Sequence, residues 1–328
     1  MKLVLAPLAD FTDAAFRLLC FAGGADAAYT EMVSAPALVH AHLPTLRLVA
    51  TMPGEGPVAC QLFGSTESDL AAAAREVEKI AGRFAAIDLN AGCPMPRIMN
   101  AGAGAALVSD PARIHAMLKA MKENCSLPVT LKTRLGPHKD QPTIFEIIDA
   151  AESAGVASIA VHARSAGQRH GGPVNLDLLA EAVRRAHVPV FGNGSVRTPA
   201  DAAAMAATGV AGILIGRTAL TDPWIFARIK AASAGGPPPD TPTWADVCRR
   251  HVELMLEFHR RLAEEIPPPY LPDADAFVAA KARTHLVRYF HGFAHAAAFR
   301  ARAAQVSSVA EVLALVAEAE TAPAENVT

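Results

Sequence analysis

Residues 189–217 read PVFGNGSVRTPADAAAMAATGVAGILIGR and hold one complete strand–helix–strand repeat. An apolar run, Pro189–Gly192, stops at Asn193-Gly194-Ser195. An Ala-rich segment of helical period, Pro199–Thr208, starts behind Thr198-Pro199 and ends at Gly209, and a second apolar run, Gly212–Arg217, follows. Proline suits a first helical position because its missing N–H has no helical partner there. Glycine suits a helix end because it tolerates the left-handed backbone. The runs are short and do not alternate in polarity, as expected of parallel strands covered on both faces. Toward the N-terminus the pattern recurs. The other strand candidates are Leu3–Ala9, Asp26–Val33, Val58–Phe63, Ala85–Asn90, Pro128–Thr133 and Ser158–Ala163, with helical segments at Glu67–Ala81, Pro111–Glu123, Ile144–Ala154 and Leu176–Ala186. Eight such units predict an α/β chain closed into a (β/α)8 TIM barrel rather than an open doubly wound sheet.

The pattern ends near Lys230. Ser233-Ala234-Gly235-Gly236-Pro237-Pro238-Pro239 has linker composition, and from residue 244 the period is helical, interrupted at Ile266-Pro267-Pro268-Pro269. The organisation expected is a catalytic barrel over 1–232, a linker over 233–243 and a small C-terminal all-α domain of three or four helices over 244–328, its last residues loosened from Thr321 onward. Of the 328 residues 52% are hydrophobic and 19% charged, enough for a sizeable core and against a disordered chain. No apolar run approaches the roughly 18 residues of a membrane span, and the apolar stretch after Met1-Lys2 is short for a secretory signal. Five widely spaced cysteines without a C-x-x-C pattern exclude a disulfide scaffold or zinc knuckle and point to a reducing cytoplasm. No metal site is expected.

In such a barrel the chemistry collects where strands end at their carboxyl side. Here the runs close on Ala6-Pro7, Glu31, Gln61, Asn90, Lys132, His162, Asn193 and Gly216-Arg217. One polar strand end is ordinary, whereas a nearly complete ring calls for a ligand. Asn193-Gly194-Ser195 and Gly216-Arg217 follow the last two strands, where small residues let backbone N–H groups approach an anion; this is the recurrent phosphate site of these barrels. Lys132 suits a reduced flavin's pyrimidine ring, with Gln61 at the ring edge and His162 beside it, and equally a Schiff-base lyase. Cys93 lies on the mouth loop in Asn90-Ala91-Gly92-Cys93-Pro94, while the other cysteines sit in apolar company. With an ordinary thiol pKa it donates a proton; depressed by Lys132 it would be a nucleophile.

The same segments carry a resemblance. Ala6-Pro7-Leu8-Ala9-Asp10-Phe11-Thr12-Asp13, Tyr29-Thr30-Glu31-Met32, Asp88-Leu89-Asn90-Ala91-Gly92-Cys93-Pro94, Val129-Thr130-Leu131-Lys132-Thr133-Arg134, Val161-His162-Ala163-Arg164, Gly192-Asn193-Gly194 and Ile215-Gly216-Arg217 stand in the order and spacing of the tRNA-dihydrouridine synthases, which the chain resembles over nearly its whole length. The resemblance implies an FMN-dependent oxidoreductase using NADPH to reduce the C5=C6 bond of specific tRNA uridines. It implies Cys93 as the acid protonating C5 and Asn90 as a uracil contact. Pro7, Leu8, Ala9, Gln61, Lys132 and His162 would hold the isoalloxazine, with Asn193, Gly194, Ser195, Gly216 and Arg217 on the phosphate and Arg134 and Arg164 reaching nucleotide or RNA. No obligate protein partner is implied. An enzyme reducing a free pyrimidine, a lyase using Lys132 as a Schiff base on a phosphosugar and a non-catalytic RNA-binding protein are the other readings.

A net charge of −2 looks unfavourable for RNA, but it averages over an uneven chain. From Ala276 to Ala310 there is no Asp or Glu, and Lys281, His285 and Arg288 fall at i, i+4 and i+7 with Arg283 nearby. On one helical face these residues predict a basic stripe for tRNA phosphates, with Lys281, Arg283 and Arg288 as the contacts.

Overall fold

The computed structural model describes residues 1–291, 293 and 295–322. All eight strand candidates enter one parallel sheet as β1 (Lys2–Leu5), β2 (Ala27–Tyr29), β4 (Val58–Phe63), β5 (Ala86–Ala91), β6 (Val129–Arg134), β7 (Ser158–His162), β8 (Val190–Asn193) and β9 (Gly212–Ile215), with β3 (Val33–Ser34) an added two-residue rung on β4. The order runs from β2 through β1, β9, β8, β7, β6 and β5 to β4, and a β2–β4 pairing closes the ring. The second strand stops short of the expected Val33. Beyond Tyr29 it is the Thr30 hydroxyl, not a backbone carbonyl, that accepts the Gln61 N–H at 3.0 Å, while the same hydroxyl donates to the Glu31 carbonyl at 2.7 Å. The ladder therefore breaks there.

Strand register explains the site. Gln61 pairs with Asp88, Asp88 with Thr130, Asn90 with Lys132, Arg134 with His162, and His162 with Asn193. Alternate side chains on a strand share a face, so these residues belong to the barrel's interior set. Below them Val4, Ala6, Tyr29, Ala160 and Leu214 fill the barrel with a small apolar cluster. The alternate positions, such as Leu3, Leu5, Leu62, Ile87, Leu89 and Leu131, join the larger core.

The surrounding helices start and stop where the sequence signals lie. Asp110 caps Pro111–Lys122 by accepting from the Arg113 amide, and Thr198 with Asp201 forms a capping box ahead of Pro199–Ala206. Gly155 and Gly209 follow their helices at φ +80° and +87°, the left-handed backbone that favours glycine.

Residues 236–243 form neither helix nor strand. After them the described residues hold four helices, Trp244–Ala263, Ala274–Tyr289, Ala296–Ala303 and Val309–Glu320. The loosened end expected from Thr321 falls largely on residues 323–328, which lie outside the described residues. The helical part docks on the Ala14–Ala22 helix of the barrel through a buried aromatic cluster. His251 and His285 have ring centroids 4.5 Å apart, Phe16 lies 5.1 Å from His285, and His251 Nδ1 is 3.0 Å from the Tyr289 hydroxyl. Lys281 Nζ lies 2.9 Å from Asp13 and 3.9 Å from Glu31, in the loops after β1 and β2.

This overturns the basic stripe as a continuous solvent face. His285 is fully buried and Lys281 is turned onto two buried carboxylates, because the face carrying i and i+4 is the one that meets the barrel. Arg283 and Arg288 stay exposed, Arg283 donating to the Val306 carbonyl at 2.8 Å and Arg288 lying 5.7 Å from the Phe11 ring centroid. No described helix is long and apolar enough to cross a membrane.

Candidate active site

A cavity of about 660 Å³ opens at the carboxyl ends of the strands, within the size range of small-molecule and cofactor sites. Pro7, Leu8, Ala9, Gln61, Asn90, Cys93, Lys132, Arg134, His162, Asn193, Gly194, Ser195, Gly216 and Arg217 all line it. Arg164, Lys281, Arg283 and Arg288 do not. Glu31, one of the strand-end ring, faces Lys281 and accepts from the Asp10 amide instead. His170, Arg197 and Thr218 also line the cavity, beyond the residues the sequence motifs point to. Arg197 and Thr218 could have been found by following the two Gly turns onward, whereas nothing in the sequence brings the His170 loop back over the mouth.

Asn90 anchors the Cys93 loop. Its Oδ1 accepts from the Gly92 amide at 3.1 Å and the Cys93 amide at 3.0 Å, and its Nδ2 donates to Gln61 Oε1 at 2.9 Å. From below, Gly104 at φ +60° packs so closely that an added Cβ would stand 2.7 Å from the Cys93 carbonyl oxygen. Burial pushes the Cys93 thiol above its ordinary value, outweighing the Met95 amide, Arg134 and Lys132. The thiol therefore stays protonated at neutral pH, which favours the acid over the nucleophile.

On the neighbouring strand, Lys132 Nζ donates to Asn193 Oδ1 at 3.2 Å, and Asn193 Nδ2 donates to the Leu214 carbonyl at 2.8 Å. Burial, reinforced by Arg134, pulls the Lys132 ammonium down to about 8, against the opposing pull of Asp88 and Cys93. Burial, with Arg134, Lys132 and Arg164 alongside, holds His162 well below the usual imidazole value, so the ring is neutral. Arg164 Nη1 lies 3.4 Å from His162 Nε2. A guanidinium only donates, so Nε2 accepts and the ring proton sits on Nδ1.

The two arginines expected at the substrate serve the loops. Arg134, 2% exposed, donates to the carbonyls of Gly92, Ser165 and Arg169, and Arg164, 4% exposed, donates to Gly171, Gly172 and the Ser195 hydroxyl. Arg134 still lines the cavity beside Cys93. Arg164 instead fixes the loop that carries Ser195, because its guanidinium is taken up by three oxygens before it reaches the mouth.

Gly194 and Ser195 both have positive φ, +123° and +57°. The amides of Gly194, Ser195, Val196, Gly216, Arg217 and Thr218 find no hydrogen-bond acceptor among the described residues, and all six residues line the cavity. Unpaired amides gathered beside an arginine suit a phosphate monoester. With Lys132 and Gln61 on the strand ends and the Pro7–Ala9 wall, this donor set fits FMN. No cluster of three His, Cys, Asp or Glu suited to a metal occurs among the described residues.

Comparison with known proteins agrees with this geometry. A family model described as dihydrouridine synthase matches residues 4–325. A probable tRNA-dihydrouridine synthase of Treponema pallidum is 38% identical over 235 residues, covering 69% of either chain. Another from Mycobacterium tuberculosis is 35% identical over 326 residues, covering 94% of this chain and 79% of the relative. Among solved structures, morphinone reductase in complex with tetrahydroNAD superimposes with a TM-score of 0.51 at 13% identity, over 73% of this chain and 88% of that one. That likeness is of fold alone.

Proposed function

The chain belongs to the dihydrouridine synthase family, and from that premise we propose that it is an FMN-dependent tRNA-dihydrouridine synthase driven by NADPH. The observation that carries the reading is that one cavity gathers the Cys93 thiol, the Lys132 ammonium and a set of unpaired amides. Bound FMN in its reduced form supplies the hydride delivered to C6 of a uracil ring.

The protein's own part is to bind, orient and protonate. The amides at 194–196 and 216–218, with Arg217, would hold the phosphate. Lys132 and Gln61 would hold the isoalloxazine's polar edge, with Pro7–Ala9 and His162 beside it, and the ammonium of Lys132 would favour negative charge there. A uracil entering over this surface lies against the loop of Cys93, with Asn90 within reach of its edge. Hydride addition leaves enolate charge on the ring, and the Cys93 Sγ–H gives its proton to C5 as that charge collapses. Extruding the base from folded RNA costs a few kcal/mol, which contacts to the surrounding RNA must offset. Arg197 at the mouth and Arg283 and Arg288 on the helical part supply cations for this. A free pyrimidine would need none of them. A Schiff base on Lys132 leaves Cys93 without a task. An enzyme working on tRNA acts in the cytoplasm, consistent with five free cysteines.

Mapping dihydrouridine in tRNA from a strain lacking this gene, with add-back, tests the reading. Loss of the base at defined positions and its return on add-back is expected, and unaltered dihydrouridine would overturn it. Purified chain that fails to take up FMN would overturn the cofactor assignment.

A further inference from the structure

Beneath the cavity floor lies a carboxylate that the chemistry above leaves unassigned. Asp88 is fully buried inside the barrel, in the middle of β5. Its Oδ2 accepts from Gln61 Nε2 at 2.8 Å and its Oδ1 from the Thr130 hydroxyl at 2.6 Å. An ionised carboxylate only accepts, so Gln61 must turn its NH2 downward and its Oε1 toward Asn90. Asn90 then gives its NH2 to Gln61 at 2.9 Å and keeps Oδ1 for the Gly92 and Cys93 amides. Amide side chains are ordinarily ambiguous between two orientations. Here the chain begins at a group that cannot donate and ends at backbone N–H groups that cannot accept, so every bond has one direction.

We propose that Asp88 is a positioning residue that, through the Gln61 and Asn90 amides, fixes the loop of Cys93 and the face Gln61 turns to the flavin. Without an acceptor at position 88 the Gln61 NH2 is left buried and unpaired. The side chain then swings or flips, and the Asn90 NH2 loses its partner. The surroundings keep the carboxylate in place. Burial raises it to about 6, opposed by the hydroxyl of Thr130, the amide of Gln61 and the charge of Lys132, so the ionised, acceptor-only form prevails at neutral pH. The acceptor matters more than the charge. Asp88→Asn can still accept from Gln61 through Oδ1 while its Nδ2 donates to the Thr130 oxygen, because a hydroxyl serves either way. Asp88→Leu cannot. The flavin arm of this proposal rests on the functional reading above; the thiol arm does not.

The test compares Asp88→Leu, Asp88→Asn and wild type in two measurements. Alkylation of Cys93 by iodoacetamide is followed by mass mapping on flavin-free protein. FMN affinity and the visible flavin spectrum are read by titration. Leu should speed Cys93 alkylation and weaken FMN by about tenfold each, the equivalent of one lost hydrogen bond, with a shifted flavin spectrum. Asn should stay within about twofold on both. An Asn variant as impaired as Leu would overturn the proposal, since charge and not acceptor geometry would then matter. Where Asp88→Leu does not fold, Gln61→Met breaks the same relay and must reproduce the faster alkylation; an unchanged rate there overturns the proposal as well. A wild-type chain that forms no dihydrouridine would instead overturn the functional reading and leave the thiol arm standing.

Discussion

Replacing Lys281 by Met should destabilise the fold rather than merely weaken RNA binding. The ammonium lies 2.9 Å from Asp13 and 3.9 Å from Glu31, whose side chains are 2% and 8% exposed. At an effective dielectric of about 20, a pair at 2.9 Å attracts by about 6 kcal/mol before desolvation is counted. Removing one partner of such a buried pair costs about 3–5 kcal/mol, because the remaining charges stay buried. Lys281 is 24% exposed, which places the expectation at the lower end, about 3 kcal/mol. That is a large part of the 5–15 kcal/mol typical of a folded domain. Burial alone would raise the Asp13 carboxyl, but Lys281 and the nearby histidines hold it far below the usual range. A depressed acid stabilises above its unfolded value of 3.8 and loses that contribution as pH falls. The gap between wild type and Lys281→Met should accordingly narrow in acid. Asp13 Oδ1 also caps its helix by accepting from the Phe16 amide at 3.0 Å, a bond that Asn can keep. Adding Asp13→Asn to Lys281→Met should therefore recover much of the loss. Urea unfolding followed by far-UV circular dichroism measures all three proteins. If Lys281→Met unfolds within about 0.5 kcal/mol of wild type, as an ordinary surface substitution does, the ion pair does not hold the helical part to the barrel.

Other outcomes follow from the same geometry. Cys93→Ala should leave flavin binding and NADPH oxidation nearly intact and slow uridine reduction by about 10²–10⁴, and equal loss of both half-reactions would refute the acid role. Because burial raises that thiol and lowers Lys132 to about 8, wild-type uridine reduction should hold through neutral pH and fall in the alkaline range, first as Lys132 loses its proton and then as the thiol does; a decline already complete near pH 7 would contradict this. Lys132→Ala should weaken FMN and perturb its spectrum, checked by titration, with unchanged affinity and reduction the contrary result. Gly104→Ala forces a side chain at φ +60° against the Cys93 carbonyl, costing about 1–2 kcal/mol for the backbone alone; single-turnover kinetics should show uridine reduction falling more than FMN affinity. Substituting Arg283 and Arg288 together should lower the salt dependence of tRNA binding by about one to two units of log–log slope, whereas an unchanged slope would remove them from the RNA surface.

Local signals were enough for the barrel. Apolar runs too short for helices, Pro and Gly at helix ends, and eight repeats of one unit dictate closure, because each link depends on neighbours a few residues apart. Period-two alternation also makes Gln61, Asn90, Lys132, His162 and Asn193 converge, since successive residues of a strand face alternately in and out and these five lie within two positions of their strands' carboxyl ends. By the same reasoning Asp88, two residues before Asn90 on an otherwise apolar strand, was legible in the sequence.

Contacts between distant segments were not legible. A basic residue at a helical position reads as solvated until its neighbours are known, and Lys281 meets Asp13 across a sequence separation of 268 residues. Likewise Arg134 and Arg164 looked available for substrate, but the carbonyls that occupy them come from loops whose return path no local pattern specifies. Even the thiol state of Cys93, acid or nucleophile, turns on how far the folded loop removes it from water against the pull of Lys132 and Arg134. Sequence fixes which groups are present and which face of an element they share. Only packing decides whether a charge meets water, a ligand or another charge, because that depends on what the remaining chain places within a few ångströms.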